Sequence, residues 1–306
     1  MQHKIIFMGT PQFSVPILEV LAKSSYKISC VYSQPPKKSN RGHKLNSSPI
    51  QKTAENLNIP IRIPNNLNTI EEWNFFRDIN PDIVVVVAYG QLIPKKFLDV
   101  AKKGFINIHA SLLPKWRGAA PIQRAIINLD KETGISVMKI EEELDSGPIM
   151  KKIKIDISPF DTSNKISEKL SKVSSENIVK ALDDIFENKA KFVQQEHNLA
   201  TYAKKIKKNE GKINWEEDAK KIIGKINGLN PNPGAWFEYK NVRYKIWQAS
   251  MFEKKGAAGT ILDSNFTIAC KNKSIRIKEI QKEGKNKLLL KDFLLGVKVK
   301  VGDIVK

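Results

Sequence analysis

Five consecutive residues, Ile83-Val84-Val85-Val86-Val87, framed by Asp82 and Ala88, constrain the fold of this chain more than any other feature. β-Branched side chains are stiff at χ1 and favour extended backbone, and a run with no polar position has no solvent face. Asp82–Ala88 therefore reads as a strand covered on both sides, as in a parallel sheet sandwiched between helices. Shorter apolar runs flank it: Lys4–Gly9, Tyr26–Tyr32, Ile59–Ile63, Phe105–His109 and Ile135–Ile140. Helical periodicity fills the gaps, through Val15, Leu18, Val20 and Leu21, through Gln51–Asn58, and through Ile70–Ile79, where Ile70, Trp73 and Phe76 share a face. Pro121–Ile127 reads as a further helix, and Ser163–Asn188 as a long one with Ile166, Leu170, Val173, Ile178, Leu182 and Ile185 aligned. The alternation predicts an α/β fold with a doubly wound, mostly parallel, Rossmann-like sheet, whose ligands sit beyond the carboxyl ends of the strands.

A chain of 306 residues has room for about two domains. Residues 1–188 make the first, 189–211 a polar, basic linker, and 212–306 the second. After a helix at Glu216–Asn227, short strands follow closely: Ala235–Tyr239, Val242–Ala249, Gly259–Leu262, Phe266–Ala269, Ser274–Ile280 and Val297–Val299. That spacing predicts a small antiparallel β-barrel of OB-like type. Between the early strands, Ser33–Pro49 is rich in Pro, Ser, Lys and Asn and exceeds an ordinary connection, so it reads as a functional loop.

Charge separates the two halves. The chain has 52 Lys and Arg against 32 Asp and Glu, a formal +20. Residues 1–206 hold 30 basic and 21 acidic side chains; residues 207–306 hold 22 and 11, a larger surplus in half the length. A densely basic second domain suits a polyanionic partner. A general lean toward Lys, Asn and Ile explains the total as well, but the asymmetry less well. Trp236, Phe237 and Trp247 could stack on bases, though aromatics in such strands more often fill a core.

Other classes drop out. Cys30 and Cys270 offer neither a disulfide framework nor a metal or redox pair, which points to a reducing compartment. No apolar run approaches the roughly 18–20 residues of a membrane span, and the N-terminal apolar stretch is too short for a signal sequence. A cytoplasmic protein is the expectation, with no membrane, no metal and, since no dimerisation element stands out, a monomeric state.

Chemistry concentrates after Phe105–His109. Residues at i and i+2 of a strand point the same way, so Asn107 and His109 converge at the sheet's carboxyl edge. An amide can donate to a developing oxyanion and an imidazole can exchange a proton near neutral pH. Asn-x-His alone is a weak signal, since a single His is often structural. A second polar cluster, Leu144-Asp145-Ser146-Gly147-Pro148, follows the strand Ile135–Ile140; its Asp145 could steer the imidazole or merely cap a turn. Gly9-Thr10-Pro11 lacks the spacing of a dinucleotide or Walker loop.

Asn107-x-His109, Ser111-Leu112-Leu113-Pro114 and Leu144-Asp145-x-Gly147 together resemble the signature of the formyltransferases that use 10-formyltetrahydrofolate. Trp116-Arg117-Gly118-Ala119-Ala120-Pro121-Ile122-Gln123 is similar to the branch of that family acting on aminoacylated initiator tRNA. So are Gly9-Thr10-Pro11, Gln34-Pro35 with Arg41-Gly42, Val85–Gly90, Ile213-Asn214-Trp215 and Asn230-Pro231-x-Pro233. Pro36 departs from the pattern, standing where an acidic residue is expected.

The resemblance implies transfer of a formyl group from 10-formyltetrahydrofolate to the α-amino group of methionine on initiator Met-tRNA. It implies catalytic roles for Asn107, His109 and Asp145, and a folate-binding stretch at Ser111, Leu112, Leu113 and Pro114. It further implies that Arg41 meets the acceptor end of the tRNA, with Lys37, Lys38 and Lys44 adding phosphate attraction, and that the barrel binds tRNA. Three rivals share parts of this pattern: a formyltransferase for a small amine, a hydrolase of the formyl-folate, and a non-catalytic RNA-binding protein.

Overall fold

A computed structural model describes residues 2–39 and 44–306. In chain order the first strands and helices are β1 (Lys4–Gly9), α1 (Val15–Ala22), β2 (Lys27–Tyr32), β3 (Lys37–Ser39), β4 (Lys44–Asn46), α2 (Pro49–Asn56), β5 (Ile61–Arg62), α3 (Ile70–Ile79) and β6 (Ile83–Val87). They continue with α4 (Lys95–Leu98), β7 (Phe105–His109), α5 (Pro121–Ile127), β8 (Glu132–Lys139), β9 (Ile149–Asp156) and α6 (Ser163–Phe186).

Seven of the strands form one sheet, in the order β5-β2-β1-β6-β7-β8-β9. β5, β2, β1, β6 and β7 pair in parallel, and β8 runs antiparallel to β7. All five residues of β6 are buried, as a strand covered on both faces requires. Helix starts follow local chemistry. The Ser48 side chain accepts from the Gln51 N–H at the head of α2, and Thr69 does the same for Glu72 in α3. Over one face of the sheet Phe76 of α3 packs edge-on to Phe97 at 5.0 Å and parallel to Phe105 at 5.9 Å.

The order of strands creates a switch point. From β1 the sheet grows outward through β2 and β5, and from β6 the other way through β7, β8 and β9. Loops leaving the carboxyl ends of β1 and β6 must diverge there, opening the crevice in which such sheets take ligands. Polar ties line that edge: the Thr10 hydroxyl donates to the Tyr89 carbonyl at 2.7 Å, and Gln34 Nε2 to the carbonyls of Tyr89 and Gly90 at 3.1 and 2.6 Å.

By internal contacts the chain forms two compact units. One contains the residues up to Ala119, Gly134–Ile155 and Ser167–Ala203; the other contains Ala120–Thr133, Asp156–Ile166 and Lys204–Lys306. In the second unit lie α7 (Ala219–Gly228), β10 (Ala235–Tyr239), β11 (Val242–Phe252), β12 (Thr267–Ala269), β13 (Ser274–Lys282), β14 (Lys287–Leu289) and α8 (Leu290–Gly296). The strands make a curled antiparallel half-barrel, order β10-β11-β13-β12 with β14 on β13. Lys240 and Asn241, at φ +50° and +59°, close the two-residue turn between β10 and β11, the positive angles a type I′ hairpin needs. Register shifts around Gln248 bend β11 over the core built on Phe237, Tyr244 and Phe266.

Several elements differ from expectation. Gly259–Leu262 is no strand; Thr260 and Ile261 make only isolated bridges, to Ile304 and Ile268. Val297–Val299 is likewise outside any strand and follows α8, a helix built on Leu290 and Phe293. Within Ser33–Pro49, β3 and β4 pair as a short hairpin, Lys37 opposite Asn46 and Ser39 opposite Lys44. β9, at the sheet edge, was not expected either. Among the described residues no helix is long and apolar enough to cross a membrane.

Candidate active site

β7 delivers two polar side chains to the carboxyl edge of the sheet. Phe105, Asn107 and His109 share one face, while Ile106 and Ile108 fill the other with apolar contacts. His109 is only 6% exposed, so both ring nitrogens meet protein. Nε2 lies 2.9 Å from the Trp116 carbonyl oxygen, which can only accept. Its hydrogen is therefore assigned to Nε2, leaving Nδ1 of the neutral ring with a lone pair. Nδ1 faces Oδ2 of Asp145 at 3.6 Å.

Asp145 comes from the loop between β8 and β9 and adopts φ +51°. Left-handed backbone at a non-glycine residue costs about 1 kcal/mol, so its surroundings must hold it there. They do so densely. The Gly118 N–H donates to Oδ2 at 2.8 Å and Asn107 Nδ2 to Oδ1 at 3.5 Å. The side-chain amide of Gln195 donates to the main-chain carbonyls of Asp145 and Gly147 at 2.9 and 2.7 Å. The amide, imidazole and carboxylate anticipated from sequence thus meet at one place.

Chemically, the arrangement offers a weakly engaged amide donor, a proton-accepting ring nitrogen, and a carboxylate facing that nitrogen. At 3.5 Å the Asn107–Asp145 bond is long enough for the amide to exchange it for a better acceptor. A proton taken up at Nδ1 would point at Asp145, and the ring would then be an imidazolium held at both ends.

The stretch Ser111–Pro114 leads away from β7. Ser111 and Leu113 are fully buried. Ser111 Oγ donates to the Lys115 carbonyl at 2.6 Å. The Leu113 N–H donates to Ser136 Oγ at 3.0 Å, and Ser136 Oγ to the Ser111 carbonyl at 2.7 Å. Two of the four expected folate residues thus turn their side chains inward, Leu113 packing with Met138 and Ile149. Leu112 and Pro114 stay partly exposed.

Sequence reasoning missed the partners that hold this centre: the Trp116 carbonyl, the Gly118 N–H, Arg117 and Gln195. The string Trp116–Gln123 was a visible signal, but main-chain donors carry no side-chain pattern, and Gln195 sits in a polar segment without periodicity. That segment is tied to the 114–119 loop by main-chain bonds Arg117 N–H to Thr201, Ala203 N–H to Arg117 and Ala119 N–H to Ala203, at 2.8, 2.7 and 2.9 Å. Of the expected tRNA contacts, Arg41 lies outside the described residues, and Lys37, Lys38 and Lys44 belong to the β3–β4 hairpin. In the second unit Phe237 is fully buried, whereas Trp236 and Trp247 are half-buried. Arg243 stacks over Trp236 at 3.9 Å. Among the described residues no three His, Cys, Asp or Glu side chains converge as a metal site.

Comparison with known proteins adds independent findings. Residues 3–182 match the family model described as formyl transferase, and residues 205–298 that of the formyl transferase C-terminal domain. The chain is 54% identical over 301 residues to methionyl-tRNA formyltransferase of Pelagibacter ubique strain HTCC1062, covering 98% of this chain and 97% of the relative. It is 41% identical over 303 residues to the enzyme of the same name from Jannaschia sp. strain CCS1, covering 99% and 100%. In fold it is similar to the N-formyltransferase from Helicobacter canadensis solved with folinic acid and dTDP-3-aminofucose, with a TM-score of 0.68 at 19% identity, covering 92% and 100%.

Proposed function

Because this chain belongs to the formyl transferase family, through both its N-terminal and its C-terminal domain, we propose that it transfers a formyl group from 10-formyltetrahydrofolate to the α-amino group of methionine on initiator tRNA. Full-length relatives named methionyl-tRNA formyltransferase, at 54% and 41% identity, support the tRNA-linked acceptor. One geometric observation carries the reading: at the carboxyl edge of the sheet the Asp145 carboxylate lies 3.5 Å from the Asn107 amide and 3.6 Å from Nδ1 of His109.

The folate co-substrate supplies an electrophilic formyl carbon. We assign its seat to the stretch Ser111, Leu112, Leu113 and Pro114, where backbone groups and the partly exposed Leu112 and Pro114 can orient a pterin. The attacking amine needs no special activation, since an α-amino group titrates at roughly 7.7–8.0 and is partly neutral near pH 7. Asn107 Nδ2 exchanges its long bond to Asp145 for the formyl oxygen as negative charge gathers there. His109 accepts the amine proton at Nδ1, and Asp145 Oδ2 stabilises the imidazolium; as the tetrahedral intermediate collapses, the formyl C–N10 bond breaks and the imidazolium returns that proton to N10, releasing tetrahydrofolate. Nε2 stays bonded to the Trp116 carbonyl throughout, so the ring keeps its orientation while its charge changes.

Arg41, with Lys37, Lys38 and Lys44 of the same sequence segment, is assigned to the acceptor end of the tRNA, and the basic second unit to the tRNA backbone. Work on an aminoacylated tRNA supports a cytoplasmic setting, and we take a single chain as the acting unit. The test is transfer of label from formyl-folate to Met-tRNA by the purified protein, with uncharged tRNA as control. Formyl-methionine on the charged tRNA alone is the expected product. Formate release without tRNA would make it a hydrolase, and formylation of an amino sugar instead of Met-tRNA would move it to another branch of the family.

A further inference from the structure

Behind the Asp145 turn lies a buried cation for which the mechanism has no use. Arg117 is 3% exposed and Gln195 6%. Arg117 Nε and Nη2 donate to Gln195 Oε1 at 3.1 and 2.8 Å, and Nη1 and Nη2 lie 3.4 Å from Nδ1 of His197. Among the described residues its side-chain partners are one amide oxygen and one imidazole nitrogen, with no carboxylate.

A guanidinium has donors and no acceptor. Gln195 must therefore turn its oxygen toward Arg117, which aims its NH2 group the opposite way. Both amide hydrogens are then used, on the carbonyls of Asp145 and Gly147. Rotating the amide by half a turn would set NH2 against the guanidinium and oxygen against two carbonyl oxygens. Arg117 thus fixes the direction of the Gln195 dipole, and Gln195 clamps the turn that holds Asp145 at φ +51°. The next residue along, Gly118, donates its N–H to the Asp145 carboxylate itself.

We infer that Arg117 and Gln195 are positioning residues for formyl transfer: by orienting one buried amide they hold the Asp145 carboxylate against Nδ1 of His109. This rests on the catalytic role proposed for Asp145. It predicts an effect on turnover that depends on Asp145 being present, which general support of the fold would not produce.

The test is a double-mutant cycle on the full chain, measuring formyl transfer from 10-formyltetrahydrofolate to Met-tRNA, by single turnover for slow variants. Gln195→Met and Gln195→Glu are each made in the native and the Asp145→Asn backgrounds. Both remove the two donors; the glutamate keeps an acceptor for Arg117. In the native background each is expected to lower kcat about tenfold or more, with KM for both substrates within about twofold. In the Asp145→Asn background the same change should cost less than about twofold, because no carboxylate is left to position. A loss of equal size in both backgrounds, or one below about tenfold in the native background, would overturn the assignment. If the methionine variant does not fold, the glutamate variant and Arg117→Lys, which keeps the buried cation, decide in the same cycle. Undiminished turnover of Asp145→Asn alone would instead remove Asp145 from the chemistry, a distinct failure that takes the role of Arg117 and Gln195 with it.

Discussion

Replacing Gly118 by alanine tests whether the main chain around Asp145 is part of the catalytic geometry. Gly118 stands at φ +113°, a region closed to side-chain-bearing residues without strain. A Cβ there would also lie 3.1 Å from the Ala203 carbonyl oxygen, held in place by its own bond from Ala119. The conformational penalty is about 1–2 kcal/mol and the contact adds to it, so a loss of about 2 kcal/mol is expected. For a domain of this size that lowers Tm by roughly 4 °C or more. Relief requires the 118 peptide to rotate, which swings the N–H that donates to Asp145 at 2.8 Å. Turnover should therefore fall on the order of 10- to 100-fold beyond any effect of stability, with folate and tRNA binding little changed. Gly104→Ala is the control: at φ +79° with nothing within 4 Å of the added Cβ, it carries the backbone penalty alone. Thermal unfolding and single-turnover transfer below both transitions give the comparison. Equal turnover in the two variants would show that the main chain at Gly118 takes no part in the catalytic geometry.

Other consequences follow from named residues. His109→Ala and Asp145→Ala should each abolish turnover while leaving tRNA binding, measured by filter retention, intact; near-normal turnover of either removes that residue from the mechanism. Arg41→Ala should weaken use of tRNA more than binding of folate, and equal losses in the two assays would argue against its contact with the acceptor end. Affinity for tRNA should drop steeply as salt rises, as phosphate neutralisation demands, and a flat response would contradict the basic second unit as its binding surface. Asp263 governs acid stability. Burial pushes its carboxyl up, but the Thr267 hydroxyl and Lys254 outweigh that and hold it down at about 2. A lowered carboxyl pKa adds stability above the unfolded value of about 4, and that contribution fades as pH falls toward 2. Asp263→Asn should thus cost about 1–2 kcal/mol at pH 7 and flatten the stability profile between about pH 4 and 2, read by denaturant unfolding. A profile parallel to that of the native chain would show the carboxylate to be uncoupled from folding.

What could be read from the sequence followed from period and spacing. The β-branched run of β6 has no polar position, so its place in the sheet interior was forced, and with it the layered fold. Asn107 and His109 were legible as a pair because two-residue periodicity alone puts them on one face. Asp145 was legible as a candidate through its motif, but not its φ +51° or the clamp that sustains it, since Gln195 is fifty positions away. β9 escaped notice because Ile153 and Ile155 alternate with lysines on an exposed edge, where burial leaves a faint mark. Val297–Val299 alternates like a strand yet joins no strand among the described residues, since the chain there has just left α8 and a strand needs a partner that local pattern does not specify. The β3–β4 hairpin lies in a stretch whose length and Pro, Ser, Lys and Asn content signal a functional loop but no strand.

At the centre of the account stands the amide of Asn107, set to exchange a long bond with Asp145 for the formyl oxygen. Single-turnover transfer from 10-formyltetrahydrofolate to Met-tRNA, with both substrates saturating, measures that step most directly when Asn107→Ala is compared with the native chain. Loss of an oxyanion donor typically slows the chemical step on the order of 10²–10³-fold, and that fall is predicted here with binding of both substrates preserved. Transfer at the native rate by Asn107→Ala would contradict it.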